Sequence, residues 1–216
     1  MESIFSQFKF TAPPKDVPVL KETYLGKGKG IVVEYIVRNK CKYLLELGAF
    51  FGGSIEFWLN ACPSLSKVVA VDRWADGWAG THCSNARYND SSVLNMSPEQ
   101  IEYLNEGDNF YNVFLKNIAY YQNKVVPVRM DIYDALDMMV QANFKPDVIY
   151  LDADKSFKML EKLWLTFGKT SLICGDDYRW RKGDTCPMKE NLDKLAQRYR
   201  LKATYLEDTW IVESLS

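Results

Sequence analysis

Five short apolar runs recur along the chain, each handing over to a polar turn and then to a stretch with helical spacing. They are "KYLLELGA", "KVVAVDRW", "VVPVRM", "DVIYLDA" and "TSLICGDD". Near-continuous apolar runs of this length are strands buried on both faces, and helices between them make the connections parallel crossovers. After the helical segment around Lys189 to Tyr199 come "KATYLED" and "TWIVES". Too little chain separates those two for a crossover, so they are expected to form an antiparallel hairpin. The reading is an α/β fold: a Rossmann-like, doubly wound sheet, mostly parallel and closed by a C-terminal hairpin. In such sheets ligands lie beyond the carboxyl ends of the strands.

The remaining segments are read in the same way. "GSIEFWLNA", "SPEQIEYLNEGDNFYNVFLKNIAYY", "IYDALDMMVQA" and "FKMLEKLWLTF" are expected helices. The second opens on a capping box, with Ser97 as N-cap, Pro98 at the first position and Gln100 at the third. "TAPPKDVP" reads as an extended lead-in, because proline removes a donor and keeps its predecessor out of the helical region. From Val19 to Asn39 a helical pattern is interrupted by "GKGKG". That cluster lacks the preceding strand and the following Ser/Thr of a phosphate loop. Residues 1–40 are therefore set apart as an N-terminal helical cap or arm, and 41–216 as the main domain.

Composition excludes several classes. Lys+Arg number 27 against Asp+Glu 28, and no long basic run is present, which disfavours a phosphate-driven nucleic-acid binder. Five scattered cysteines without a C-x-x-C pair, and a single histidine, make no zinc set. Reduced structural thiols in a cytoplasmic protein are expected. No apolar run reaches membrane-spanning length.

Chemistry gathers at the strand ends. "ELGAFFGGS" follows the first strand, and Gly48, Gly52 and Gly53 allow a tight turn and close backbone approach. Asp72 ends the second strand, placed to accept hydrogen bonds from both hydroxyls of a ribose. A dinucleotide reader wants G-x-G-x-x-G, but here Phe50 occupies the second glycine position, where it crowds a pyrophosphate. Glu46 beside the turn suits a cation better than a phosphate. This frame favours S-adenosylmethionine over NAD.

With these residues the chain resembles the class I S-adenosylmethionine-dependent methyltransferases over Cys41 to Glu213. The resemblance implies a seven-stranded sheet whose last strand is antiparallel. It also implies cofactor contacts from Glu46, Gly48, Ala49, Phe50, Gly52 and Ser54 in the first loop. Asp72, Arg73 and Trp74 would follow at the second strand, Asp131 and Ile132 near the adenine, and Asp152 at the fourth strand. Asp131 reads equally as a helix N-cap, and both roles are compatible.

Strands four and five end in Asp152 and Asp154, and in Asp176 and Asp177. Neighbouring strands lie about 4.8 Å apart, so these carboxylates share a small region and call for a cation or raised pKa values. An all-oxygen set suits Mg²⁺, with Mn²⁺ or Ca²⁺ as alternatives. "DADK" with "GDDY" is similar to the cation-dependent O-methyltransferases, the catechol, caffeoyl-CoA and sugar O-methyltransferase group. That resemblance implies Asp152, Asp176 and Asp177 as metal ligands and Lys155 as the base, with a surface or substrate-holding lysine as the other reading. Asp154 is expected to cap the following helix.

The segment Asp72 to Asp90 holds Trp74, Trp78 and His82, and is placed where a substrate lid would form. The tryptophans fit flat amphipathic ligands, or they pack the loop onto the domain. His82 is a candidate auxiliary base. The acceptor expected is a hydroxyl of a sugar or glycan, with a phenolic or other small metabolite as the alternative. An NAD-dependent sugar-modifying enzyme would need a hydride-transfer set that the chain lacks. A non-catalytic cofactor-binding subunit would not need Asp152, Lys155, Asp176 and Asp177 together. A homo-oligomer, or a place within a longer polypeptide, remains compatible with the first forty residues.

Overall fold

A computed structural model describes residues 5–20, 27–75 and 96–215. In chain order its elements are α1 (Gly30–Asn39), β1 (Tyr43–Leu47), α2 (Gly53–Ala61), β2 (Lys67–Asp72), α3 (Pro98–Leu104) and α4 (Asn109–Asn117). A short 3₁₀ turn (Ala119–Tyr121) precedes β3 (Val125–Arg129), α5 (Ile132–Gln141), β4 (Val148–Leu151) and α6 (Phe157–Phe167). The chain then forms β5 (Leu172–Gly175), α7 (Pro187–Tyr199), β6 (Leu201–Leu206) and β7 (Thr209–Ser214).

The strands make one seven-stranded sheet in the order β3-β2-β1-β4-β5-β7-β6. β1 to β5 pair in parallel, while β7 runs antiparallel to both β5 and β6. The expected hairpin is therefore present, turning at Glu207 and Asp208. Alternation along each strand feeds two cores. Leu44, Val68, Val148, Tyr150 and Cys174 face α1, α2 and α4 on one side. Leu45, Leu47, Val69, Val71, Ile149, Leu151 and Trp210 face α5, α6 and α7 on the other.

Strand register sets the level at which the polar residues emerge. Leu47 lies opposite Val71 and Leu151, and Leu151 opposite Gly175. The next residues along these strands (Gly48, Asp72, Asp152 and Asp176) therefore leave the sheet at one level of its carboxyl edge. The ladder continues into them: Gly48 N–H donates to Val71 O at 2.9 Å, Asp152 N–H to Leu47 O at 2.8 Å, and Asp176 N–H to Leu151 O at 3.1 Å.

One expectation needs correction. The helix read from Ser97 to Tyr121 is broken: α3 ends at Asn105, Gly107 turns with φ +49°, and α4 begins anew. Asn109 Nδ2 stitches the break by donating to Tyr103 O at 2.8 Å. The Asn-Glu-Gly-Asp run is turn chemistry, which outweighs the helical spacing on either side. The capping box at Ser97 and Gln100 is formed as read. The segment before residue 40 packs against both cores. Val32 and Ile36 of α1, with Val17 and Leu20, are buried in the first core, and Phe5 packs edge-on to Phe144 beside the second.

Candidate active site

The β1–α2 turn is built from inside. Glu46 is fully buried on β1, and Ser54 Oγ, in the first turn of α2, donates to Glu46 Oε1. Both were expected to touch a ligand. Together they tie the strand to the helix beneath the turn. Gly48 has φ +96°, and a Cβ there would stand 2.2 Å from Asp152 O, so only glycine lets β1 and β4 close at this edge. Gly52, the N-cap residue of α2, has φ +82° and backs onto Ile118. Ala49 is buried and donates its N–H to Val71 O at 3.2 Å. Phe50 adopts φ +45°, an uncommon conformation for a bulky residue, and its ring packs on Phe51 and Phe110.

Asp72 holds this turn from β2. Its Oδ2 accepts the Phe50 N–H at 3.0 Å and its Oδ1 the Trp74 N–H at 3.2 Å. Burial pushes the Asp72 carboxyl above the usual carboxylate range, against the lowering effect of those N–H donors. The Asp72 oxygens are acceptors, the type of group that two neighbouring hydroxyls require.

Trp74 is not an exposed lid residue. Its indole is fully buried, lies 4.2 Å from the Phe114 ring, and donates Nε1–H to Phe50 O at 2.7 Å. Arg129 fixes the same segment by donating to Arg73 O and Trp74 O, while the Arg73 side chain is exposed. Asp131 is the N-cap of α5, accepting the Tyr133 N–H at 2.9 Å, and Ile132 packs at the margin of the second core. His82 and Trp78 lie outside the described residues.

At the ends of β4 and β5 three carboxylates meet two ammonium groups. Lys155 Nζ pairs with Asp177 Oδ2 at 2.6 Å and stands 5.1 Å from the centre of the Trp180 ring. Asp177 itself has φ +66°. Asp154 does not cap α6 directly: Ser156 is the cap, and Asp154 accepts from its N–H and Oγ–H and from the Tyr133 hydroxyl. Burial, then the facing Asp177 and Asp176, push the Asp152 carboxyl well above its usual range, with Lys29 and Lys155 opposing.

Lys29 was missed from sequence. Its ammonium is buried and donates to Asp176 Oδ2 and to the Tyr150 hydroxyl, both at 2.8 Å. It also lies 4.9 Å from the Tyr150 ring centre and 5.9 Å from that of Trp58. The glycines of "GKGKG" explain how it gets there. At Gly28, φ +96°, a Cβ would stand 1.7 Å from Leu206 O, so the chain presses against the β6–β7 hairpin and turns Lys29 inward. The only sequence signal was a lysine between glycines.

The expected metal does not fit this arrangement. Asp176 Oδ2 faces Lys29, and its Oδ1 accepts the Asp177 N–H at 3.0 Å. Among the described residues no three acidic, thiol or imidazole side chains converge on a point a cation could occupy. A dication about 5 Å from the Lys29 ammonium would meet a repulsion of roughly 7 kcal/mol at an effective dielectric of about 20. These residues therefore support no catalytic step through Mg²⁺ or Mn²⁺. The cysteines Cys41, Cys62, Cys174 and Cys186 are free thiols, and among the described residues no helix is long and apolar enough to cross a membrane.

The sheet order, with its C-terminal antiparallel hairpin, is that of the Rossmann-like methyltransferase fold. Among solved structures the chain is similar to a Staphylococcus aureus protein named as a caffeoyl-CoA O-methyltransferase (TM-score 0.56, 16% identity, 92% of this chain and 87% of that one). It is also similar to the Podospora anserina methyltransferase PaMTH1 bound to S-adenosylhomocysteine (0.54, 12%, 86% and 77%). A third is the O-methyltransferase TomG of Streptomyces achromogenes, in complex with S-adenosylmethionine (0.52, 14%, 100% and 91%). No protein-family model matches the chain, and no curated protein matches it significantly.

Proposed function

We propose that the protein is an S-adenosylmethionine-dependent O-methyltransferase acting on a hydroxyl group of a small acceptor. The observation that carries this reading is the shared level of Gly48, Asp72 and Asp152 at the carboxyl edge, with Lys155 and Asp177 beside them. The residues fit the cofactor. Asp72 offers acceptors to a ribose, and the glycine turn carries no basic side chain to balance a diphosphate.

Bound there, the cofactor would supply an electrophilic methyl group: an acceptor oxygen forms the new O–C bond as the C–S bond breaks, leaving a methyl ether and S-adenosylhomocysteine. The protein's part is positioning and proton removal. Lys155 takes the hydroxyl proton in its amine form, and Asp177 holds the resulting ammonium in the pair seen here. Trp180 walls one side of that amine. A divalent-metal form of the reaction is disfavoured, because Asp176 and Asp177 already face ammonium groups.

For the acceptor, a sugar or glycan hydroxyl rests on the tryptophan-containing segment after β2, of which Trp74 is now withdrawn into the core. A phenolic acceptor is the second reading, favoured by Trp180 as a flat partner beside Lys155. Calorimetry with S-adenosylmethionine and with NAD is the first test. Heat with the former alone supports the reading, and none with it rejects the reading. Lys155→Ala should keep cofactor binding and lose at least about 100-fold in turnover. Unchanged turnover would remove Lys155 as the base.

A further inference from the structure

The carboxylates at the ends of β4 and β5 meet ammonium groups from within the chain. Asp152, Asp176 and Asp177 face Lys29 and Lys155, and Lys29 is the buried one, with side-chain exposures of 5% for it and 9% for Asp176. Nothing about Lys29 resembles a surface lysine that has folded inward. Gly28 has no room for a side chain, Lys27 O accepts from both Asp208 N–H and Thr209 Oγ–H, and α1 starts immediately after it. Its three N–H donors have the Asp176 carboxylate and the Tyr150 hydroxyl as partners, beneath the Trp58 ring. Asp176 is in turn held by its own backbone: Trp210 Nε1–H donates to Asp176 O at 2.8 Å, over a Gly175 that admits no Cβ. Both members of the pair are thus fixed by backbone before they meet.

We propose that Lys29 is the resident cation of this site, holding Asp176 where a divalent ion would otherwise sit and closing the carboxylate cluster to such ions. The division of labour follows from reach. Lys29 approaches from inside the first core and fixes Asp176, whereas Lys155 approaches from the α6 side and meets Asp177 at the solvent side of the cluster. A monovalent ammonium on a covalent tether needs no loading and stays in place at any metal concentration. Lys29 is a positioning residue, since it contacts Asp176 and Tyr150.

The role of Lys29 does not depend on methyl transfer, because cofactor calorimetry tests the activity and ion binding tests the lysine. Chelator-stripped protein is titrated with Mn²⁺ and free ion is followed by electron paramagnetic resonance, with and without S-adenosylhomocysteine. The wild type is expected to bind no Mn²⁺ that Asp176→Asn abolishes. Lys29→Met is expected to gain at least tenfold in Mn²⁺ affinity, and the gain should vanish in Lys29→Met with Asp176→Asn. Stoichiometric Mn²⁺ binding by the wild type that is lost in Asp176→Asn overturns the proposal, as does a folded Lys29→Met that gains nothing. Should Lys29→Met fail to fold, Lys29→Gln and the wild type with Asp176→Asn decide by the same criteria.

Discussion

Replacing Lys29 with methionine keeps most of the side-chain volume and deletes only the charge. The consequence falls mainly on Asp176, which would be left almost fully buried, without its cation and facing Asp152. Breaking one side of a buried ion pair costs about 3–5 kcal/mol, because the orphaned partner keeps its desolvation penalty. The Tyr150 hydroxyl loses its donor and two aromatic faces lose their cation. These losses belong to the same ammonium and do not add on top. For a chain of this size roughly 2–4 °C of melting temperature accompanies each kcal/mol, so a fall of about 6–20 °C is expected. Urea unfolding followed by circular dichroism gives the free energies directly, with constant slope as the check on two-state behaviour. The decisive comparison is the cycle with Asp176→Asn. Each single change leaves one buried charge alone, whereas the double change leaves none, so the double variant should be more stable than the sum of the singles implies by about 2 kcal/mol or more. High salt should leave the coupling unchanged, since a buried pair is little screened. A Lys29→Met loss below about 1 kcal/mol, or strict additivity across the cycle, would refute the buried pair.

Two further substitutions probe the turn after β1. Gly48→Ala must place a methyl group 2.2 Å from Asp152 O at φ +96°, so β1 and β4 are expected to part at this edge. Calorimetry should show cofactor binding lost and thermal melting a fall of several degrees, whereas wild-type melting would show that the edge can yield. Trp74→Ala is expected to cost about 3–5 kcal/mol, the usual penalty for deleting a buried aromatic. A lid tryptophan would cost almost nothing, so the melting curve separates the two roles.

The architecture was legible because its signals are local. Helices α2 and α6 begin and end where their apolar spacing and flanking residues put them, at Gly53 and Ala61 and at Phe157 and Phe167. The acids at the strand ends were legible for the same reason, since strand termination fixes where Asp72, Asp152 and Asp176 emerge. What escaped is pairing over distance. Lys29 and Asp176 are 147 residues apart, and no local pattern distinguishes a lysine that salt-bridges inside from one that is solvated. Trp74 follows the same rule. Its burial depends on Phe114 and Phe50, contributed by a helix and a turn that spacing cannot bring to it. Asp154 was misread by two residues because Ser156, equally good cap chemistry, took the position and left Asp154 to hold it.

The seam between Lys27–Lys29 and the β6–β7 hairpin also sets a schedule. Lys27 is closed by Asp208 and Thr209, and Gly28 by Leu206, so the residues that orient Lys29 are made long after it. During synthesis β1 to β4 can assemble, with Tyr150 and Trp58 already made, while Asp176 does not yet exist. Such high-separation contacts form late and slowly. A nascent chain arrested before the hairpin has the glycine turn, Asp72 and the acids of β4 and β5, but not the seam that orients Lys29. The β1–β2 turn and the seat of Lys29 therefore rest on different parts of the chain, and the second needs the last hairpin.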